Sequence, residues 1–488
     1  MTTIKLCKPD MSKTVPQTVP LCVDLDGTLI HSDLLLESFL LLIKRNPLYL
    51  LLIPFWLLQG KAGLKRQIAS RVKIDGAALP YTKPFVEWLH AQKAQGRAIW
   101  LCTASDASLA GAVADHVGLF DGVLASDGQT NLAGRNKAAQ LVAKFGDKGF
   151  DYCGNHRVDV AIWKHARAAV VVNAGEGLVA TARATTTVDA TFAPMRGNGL
   201  KVVAKALRVH QWAKNGLIFV PVAAAHKLGE PTVLLHALLA FVAFSLCASS
   251  VYLLNDMLDL AADRQHHSKC KRPFASGQLS ILFGLIAAPL LLIVALLLSL
   301  ALPVKFLLVL GAYYAVTLAY SFGLKKLVMI DVLTLAGLYT VRIVAGAAAT
   351  AIPLSFWLLM FSVFIFLSLA IVKRYAELHA MRQQGKLKAQ GRGYQVEDLA
   401  LLQSLGGASG YLSVLVLALY LNSPDVSVMY HQPKMVWALV PIMLYWVSRI
   451  WMQTHRGQMH DDPLVFALKD RISLLTGVAA AVVLWLAV

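Results

Sequence analysis

The sequence predicts a two-part chain: an N-terminal α/β domain with a helical cap, followed by an all-α polytopic membrane bundle of about nine transmembrane helices. Three observations predict it. The composition, 57% hydrophobic against 15% charged, is far from soluble-protein usage. Long apolar stretches recur from about residue 213, whereas residues 1–200 mix charged turns with short apolar runs. The first of those short runs, VPLCVDLDGTLIHSD, ends in two aspartates and a Gly-Thr turn, as a strand does when it feeds a site. The division is expected near residue 200, giving a soluble domain over 1–200, with its cap at about 31–85, and a membrane domain over 201–488.

The N-terminal segment MTTIKLCKPDMSK has no apolar signal core, so residues 1–200 are expected in the cytosol. Asp24 and Asp26 flank one residue at the end of the first strand, and both side chains point the same way into a site while the backbone turns at Gly27. The apolar stretch that follows is broken by Lys44-Arg45-Asn46-Pro47 into arms of about ten and eleven residues, each too short to span a bilayer. A helical cap is the plain reading. Its density of Leu, Phe and Trp without a clear polar face adds the expectation that it rests on the membrane surface. Six scattered cysteines, Cys7, Cys22, Cys102, Cys153, Cys247 and Cys270, lack metal-ligand spacing and read as reduced packing residues.

Apolar runs near 213–229, 232–255, 279–302, 304–322, 328–349, 354–373, 399–422, 434–453 and 471–488 are the candidate spans. With a cytosolic N-terminus, the loops after spans two, four, six and eight hold fifteen Lys and Arg, among them Lys386 and Lys388, against Lys227, Lys305 and Lys434 in the opposite loops. That asymmetry sets the orientation. The net charge of +18 therefore belongs to membrane topology and phosphate binding. No basic patch interleaved with aromatics suggests nucleic acid.

Polar constellations gather at the cytosolic ends of the spans. Span two runs out through Asn255, Asp256, Asp259 and Asp263, and on a helix Asn255, Asp259 and Asp263 share a face, one turn apart. Three carboxylates so close suit a divalent cation, and hard oxygen ligands with positions left for phosphate favour Mg2+. No calcium-type loop follows. The basic tail Arg264, Lys269, Lys271 and Arg272 can hold the remaining phosphate charge. Three further segments fit the same purpose: His210, Gln211, Lys214 and Asn215; Tyr320, Lys325 and Lys326 before Asp331; and Lys373, Arg374 and Glu377. Each alone could be a set of snorkelling anchors. Arg342, inside span five, either serves the site or pairs with an acid inside the bundle.

The segments NDMLDLAADRQHHSKCKRP and RVHQWAKN, with the span count, resemble the UbiA superfamily of intramembrane prenyltransferases, and YSFGLKK and VKRYAEL resemble its polyprenyl-phosphate (decaprenyl-phosphate) phosphoribosyltransferase branch. The resemblance covers about 200–488. It implies a transfer from phosphoribosyl diphosphate to a polyprenyl phosphate, releasing diphosphate. Asp256, Asp259 and Asp263 would hold Mg2+, and Lys214, Asn255, Arg264, Lys269, Arg272, Tyr320, Lys325, Lys373 and Arg374 would bind substrate. The metal and cations would stabilise charge building on the leaving diphosphate. Where quinone-type members carry a second aspartate motif, this chain has KRYAELHAMRQQ, with Glu377 its only acid; Val209 and His267 stand where prolines are usual.

Asp24-Leu25-Asp26-Gly27-Thr28 resembles the haloacid dehalogenase superfamily of phosphotransferases, with Thr103, Lys137, Asn155 and Asp159 at about the expected distances. This implies a Rossmannoid fold. Asp24 would be the nucleophile and Asp26 the general acid, Thr103 and Lys137 would contact phosphate, and Asp24, Asp26, Asn155 and Asp159 would surround Mg2+. Asn155 departs from the aspartate common at its position. The combined expectation is a multi-pass enzyme of a bacterial cytoplasmic membrane that makes a lipid-linked phosphoribose and removes its 5-phosphate, with membrane lipids around it and homo-oligomerisation left open. A prenyl transfer to an aromatic acceptor is the second enzyme reading. A transporter is the third, disfavoured because the acids cluster at one membrane face.

Overall fold

The computed structural model describes residues 19–194, 199–385, 392–422, 430–459 and 462–487; Cys7, Lys386 and Lys388 lie outside them. The chain forms two compact units, Met1–Leu207 with Leu253–Ala287, and Arg208–Tyr252 with Ala288–Val488.

In the first unit, β1 (Leu21–Val23), β2 (Ile99–Asp106), β3 (Gly122–Ser126), β4 (Asp151–Gly154), β5 (Ala168–Val172) and β6 (Thr187–Phe192) form one parallel sheet in the order β3-β2-β1-β4-β5-β6. Both faces are covered. Leu21 and Val23 enter one apolar cluster with Ile99, Leu101 and Val170, while Cys22 enters the other with Cys102, Tyr152 and Val171. Two-sided burial is why these strands read as continuous apolar runs. The order reverses between β1 and β4, the place where open parallel sheets leave a crevice at their carboxyl ends.

Helix α1 (Leu34–Arg45) starts where the Asp33 side chain accepts from Leu36 N at 3.0 Å, and it stops at Asn46-Pro47. Helices α2 (Ile53–Leu57) and α3 (Gly60–Ala69) complete the cap. Helices α4 (Lys83–Ala94), α5 (Ala107–Val117), α6 (Arg135–Phe145), α7 (Val160–Trp163) and α8 (Glu176–Thr185) flank the sheet. Among the described residues all five cysteines are free thiols, four of them buried, as their scattered spacing predicts.

After α9 (Gly199–Ala206), the expected first span is not a helix long enough to cross a membrane. Residues Val209–Phe219 form a 3₁₀ helix and only α10 (Val220–Ala224) is α-helical. Pro221 lies in the first turn of α10, so the preceding stretch cannot continue through it as one α-helix. This segment is also packed by its backbone. A Cβ at Gly346 would lie 2.0 Å from the Ile218 carbonyl oxygen, so only glycine allows the approach.

Seven helices among the described residues are long and apolar enough to cross a membrane, and a bent pair makes an eighth if it is one broken span. They are α11 (Pro231–Leu258), α13 (Ile281–Ser299), α14 (Val304–Phe322), α15 (Ile330–Thr350), α16 (Phe356–Gln383), α17 (Leu399–Leu421, in the span Val396–Leu421) and α18 (Leu439–His455, in the span Pro433–His455), with α12 (Leu260–Gln265) between the first two. The pair α19 (Pro463–Lys469) and α20 (Arg471–Ala487) meets at 81°. Asp470 holds that bend, paired with Arg449 at 2.6 Å and accepting from Ser473 N at 2.8 Å. The chain is thus a multi-pass membrane protein, with seven or eight candidate spans among the described residues where nine were expected.

The faces sort as lipid solvation requires. On α13, Leu282, Ile286, Leu290, Ile293 and Leu297 recur three or four apart and are all exposed, while Ala288 and Ala295 are buried. On α11 the buried positions include Ala237, Ala240, Ala243, Cys247 and Ala248, small side chains that let helices approach closely. Gly346→Val is expected to destabilise the bundle by about 1–3 kcal/mol or more, read as a lower melting temperature in detergent; an unchanged melt would show that α15 does not need this contact.

Candidate active site

In the first unit, the residues expected for phosphoryl chemistry assemble at the β1/β4 crevice. Asp24 follows β1 directly and pairs with Lys137 Nζ, from the first turn of α6, at 2.8 Å. Lys137 also donates to the Tyr152 hydroxyl at 2.9 Å. Burial works against the charge of this lysine, but Asp24 and Asp159 outweigh it and raise its pKa.

Asp26 accepts from Leu34 N at 2.8 Å and from Ser105 Oγ at 2.9 Å. Burial, with the charges of Asp33 and Asp24, pushes it up to about 7. A carboxyl so raised holds a proton near neutrality, as a donor to a leaving oxygen must. Asp159 accepts from Asn155 N at 3.0 Å and His156 N at 2.9 Å. Burial and Asp24 raise it to about 6. The Asn155 side chain lies so close to Gly27, at φ +74°, that a Cβ there would be 2.0 Å from Nδ2. Thr103 is buried, with its hydroxyl accepting from Ser105 N at 3.0 Å.

Three groups at this crevice were not singled out by sequence: Ser105, Tyr152 and Lys65. Lys65 reaches in from α3, donating to the Ala104 carbonyl at 2.6 Å and Asn131 Oδ1 at 2.8 Å, and burial lowers its pKa. Ser105 lies two residues beyond Thr103 on the same strand, a readable signal. Lys65 sits far away in the chain and gives none.

The acidic segment also belongs to the first unit. Its expected single helix is interrupted, because α11 ends at Leu258 and α12 begins at Leu260, with Asp259 between them. Asp259 N still donates to Asn255 O at 3.0 Å and Asp263 N to Asp259 O at 2.8 Å, so the one-turn spacing survives the break. Among the described residues no group of three or more His, Cys, Asp or Glu is arranged to hold a metal ion. Instead one nitrogen of Arg272 lies 3.0 Å from Asp256 and 2.6 Å from Asp263. A pair of carboxylates already spaced about one cationic centre fits a divalent ion without rebuilding the backbone.

Arg264, expected on phosphate, is committed elsewhere. It pairs in two-pronged fashion with Glu37 of α1 at 2.7 and 2.9 Å and donates to the carbonyls of Ala78 and Ala275. Both partners are buried. Lys44 of α1 pairs with Asp259 at 2.8 Å. Lys269 flanks Asp263 in a short 3₁₀ turn, Lys269–Lys271.

In the second unit, a cluster forms about an acid the sequence reading overlooked. Asp462 accepts from Lys214 at 2.7 Å, Lys373 at 3.1 Å and the Tyr339 hydroxyl at 2.9 Å. Its place in the sequence, just before the bent pair and beside a masking neighbour acid, Asp461, resembles an ordinary helix cap, which it also is. Among the described residues Arg342 makes no ion pair; its guanidinium donates to Asn215 at 2.8 Å and lies 5.2–5.7 Å from the rings of Tyr313, Phe244 and Tyr339. Arg374 is buried and pairs with Asp331, while Tyr320 donates to Asp331 at 2.7 Å and Glu377 pairs with Arg374 at 2.6 Å. Lys325 lies in the 3₁₀ turn Leu324–Lys326.

Residues 216–475 match the model of the UbiA prenyltransferase family. The chain belongs to that family.

A Sinorhizobium fredii protein designated y4nM is 37% identical over 465 residues, covering 95% of this chain and 90% of that protein. The nodulation protein NoeC of Azorhizobium caulinodans is 36% identical over 276 residues, 56% of this chain and 88% of that protein. The decaprenyl-phosphate phosphoribosyltransferase of Mycolicibacterium smegmatis is 32% identical over 282 residues, 55% of this chain and 86% of that protein. UbiA membership makes the chain a transferase.

Removing Asp462 strands a buried ammonium. Asp462→Ala is expected to cost about 3–5 kcal/mol, with much of that recovered in Asp462→Ala/Lys214→Met. A single variant that melts like the wild type would show that the pairing is not a constraint on the fold.

Proposed function

We propose that the chain transfers the phosphoribosyl group of phosphoribosyl diphosphate to a polyprenyl phosphate, with Mg2+, and that its N-terminal domain is a haloacid dehalogenase-type phosphatase acting on the product. The observation that carries the first half is the Mycolicibacterium relative named for that transfer, which aligns over most of its own length. The basic residues at the end of α16, where a second acidic motif would suit an aromatic acceptor, support it further. The functional division we propose is 1–200 for the phosphatase and 201–488 for the transferase, with the N-terminal domain on the cytosolic side of a bacterial inner membrane. The excess of Lys and Arg in the loops on that side supports the orientation.

In the transfer, a phosphate oxygen of the lipid bonds to the ribosyl carbon as the bond from that carbon to diphosphate breaks. Asp256, Asp259 and Asp263 would hold Mg2+, which supplies charge neutralisation on the diphosphate. Arg272 and Lys269 contribute positive charge beside those acids. Lys214 and Lys373 offer cations to phosphate oxygens, with Asp462 paired to both and holding them in place. Arg374 acts through Asp331, orienting the Tyr320 hydroxyl.

In the phosphatase step, Asp24 attacks the phosphorus while Asp26 gives its proton to the departing oxygen; water then releases phosphate from Asp24. Lys137 and Thr103 steady the phosphoryl group. Asp24, Asp26, Asn155 and Asp159 would hold the metal, which lets one anion approach another. The gathering of these groups at the β1/β4 crevice supports this reading.

The test is purified protein with Mg2+, labelled phosphoribosyl diphosphate and a polyprenyl phosphate, read as lipid-extractable label. Wild type should label lipid in a magnesium-dependent way; none would sink the assignment. Asp256→Asn should abolish labelling. Asp24→Asn should leave lipid labelling intact but retain the 5-phosphate on the product, and loss of that phosphate in Asp24→Asn would remove the N-terminal domain from the reaction.

A further inference from the structure

The tip of the cap is apolar on its outside. Between α1 and α3 the chain makes a 3₁₀ turn, Pro47–Leu51, and the short α2. Leu48, Leu51, Phe55 and Leu58 are 67, 69, 64 and 85% exposed there. The inner side of the same tip is well built. Trp56 packs with Leu42 and Ile68, and the Arg71 guanidinium lies 4.8 Å from its ring. The tip therefore presents a fixed surface, and its outward side chains are large and greasy. Contiguous apolar exposure of this kind marks an interaction site.

Two observations say what covers it. From residue 38 to residue 74 there is no acid, and of the seven basic residues in that stretch Arg45, Lys61 and Lys73 are exposed and make no ion pair among the described residues. An apolar tip on an acid-free stretch that carries exposed cations fits an anionic bilayer surface.

The second observation is where α1 is fastened. The Glu37–Arg264 and Lys44–Asp259 pairs join it to residues that directly follow α11, a candidate membrane span, and that precede the next, α13. Gly277 of the same connection, at φ +76°, is so close to His31 that a Cβ there would be 2.5 Å from the His31 Cβ. A segment between two spans of this length stays near the membrane face. Helix α1 rises about 1.5 Å per residue, so the tip lies within a few turns of that attachment.

We propose that residues 47–58 form a lipid-inserted anchor, seated at the headgroup and acyl boundary of the membrane that the same chain spans, with anionic headgroups against those exposed cations. The anchor holds the β1/β4 crevice at the bilayer surface, within reach of phosphate groups carried on lipids. The inference rests on the chain being multi-pass and is indifferent to which group is transferred, so its test reads position rather than turnover.

The full chain, carrying Cys7→Ser and Cys270→Ser, is placed in nanodiscs of phosphatidylcholine and phosphatidylglycerol, and a nitroxide is attached at Leu58→Cys or, on an exposed site beside α7, at Lys164→Cys. Collision rates with oxygen, which concentrates in lipid, and with a water-soluble nickel chelate are compared. The Leu58 position should show a several-fold higher oxygen-to-nickel ratio than the Lys164 position, and adding Leu51→Glu and Phe55→Glu should bring the ratio down to the control's. Equal ratios in the parent protein would overturn the anchor. Shielding of Leu58 from both reagents would also overturn it, since that pattern places protein, such as a second copy of the chain, over the tip.

Discussion

Charge held away from water needs a partner, and this constraint organises both units. In the second, Asp462 is shared by Lys214, Lys373 and Tyr339, and Arg374 is closed off by Asp331 and Glu377. Coulomb attraction at such depth is large because the surroundings screen it poorly, but so is the cost of desolvating each ion. Such pairs contribute little net stability. What they contribute is placement, since any arrangement that separates them is penalised by several kcal/mol. Helices that expose leucines to lipid and meet through alanine have few other ways to fix their register.

The same constraint acts at the crevice of the first unit. Asp24, Asp26 and Asp159 crowd together, and burial with mutual repulsion lifts Asp26 and Asp159 above the usual carboxylate range. Lys137 answers one of them directly. A doubly charged cation among these acids would relieve the repulsion that one lysine leaves. The backbone prepares the place, with Gly27 turning where no side chain would leave room for Asn155.

Much of this was legible from the residues, for identifiable reasons. β1 ends where Asp24 begins because an apolar run stops at a charged pair, and the spans stand out because hydrocarbon admits no mixed sequence. Local rules located both. The misses have a common source: each depends on a partner distant in the chain. The pairing of Arg264 with Glu37, over two hundred residues earlier, has no local signal. Asp462 looked like a cap until two lysines from other elements converged on it. The stretch after Val209 had the hydropathy of a span, yet Pro221 and the polar side chains of Lys214 and Asn215 turn it into short helices facing the interior. Hydropathy counts residues and is blind to which direction they face.

The Glu37–Arg264 pair has a consequence for how such a chain can be divided. Judged by composition, residue 200 is an obvious place to cut. The fold runs across that line, since residues 253–287 are built into the same unit as the α/β domain. Halves made as separate polypeptides would each carry an ionic stub in want of its mate, and they could regain it only by finding one another again. Continuity of the chain keeps the two ends of that ionic clasp together.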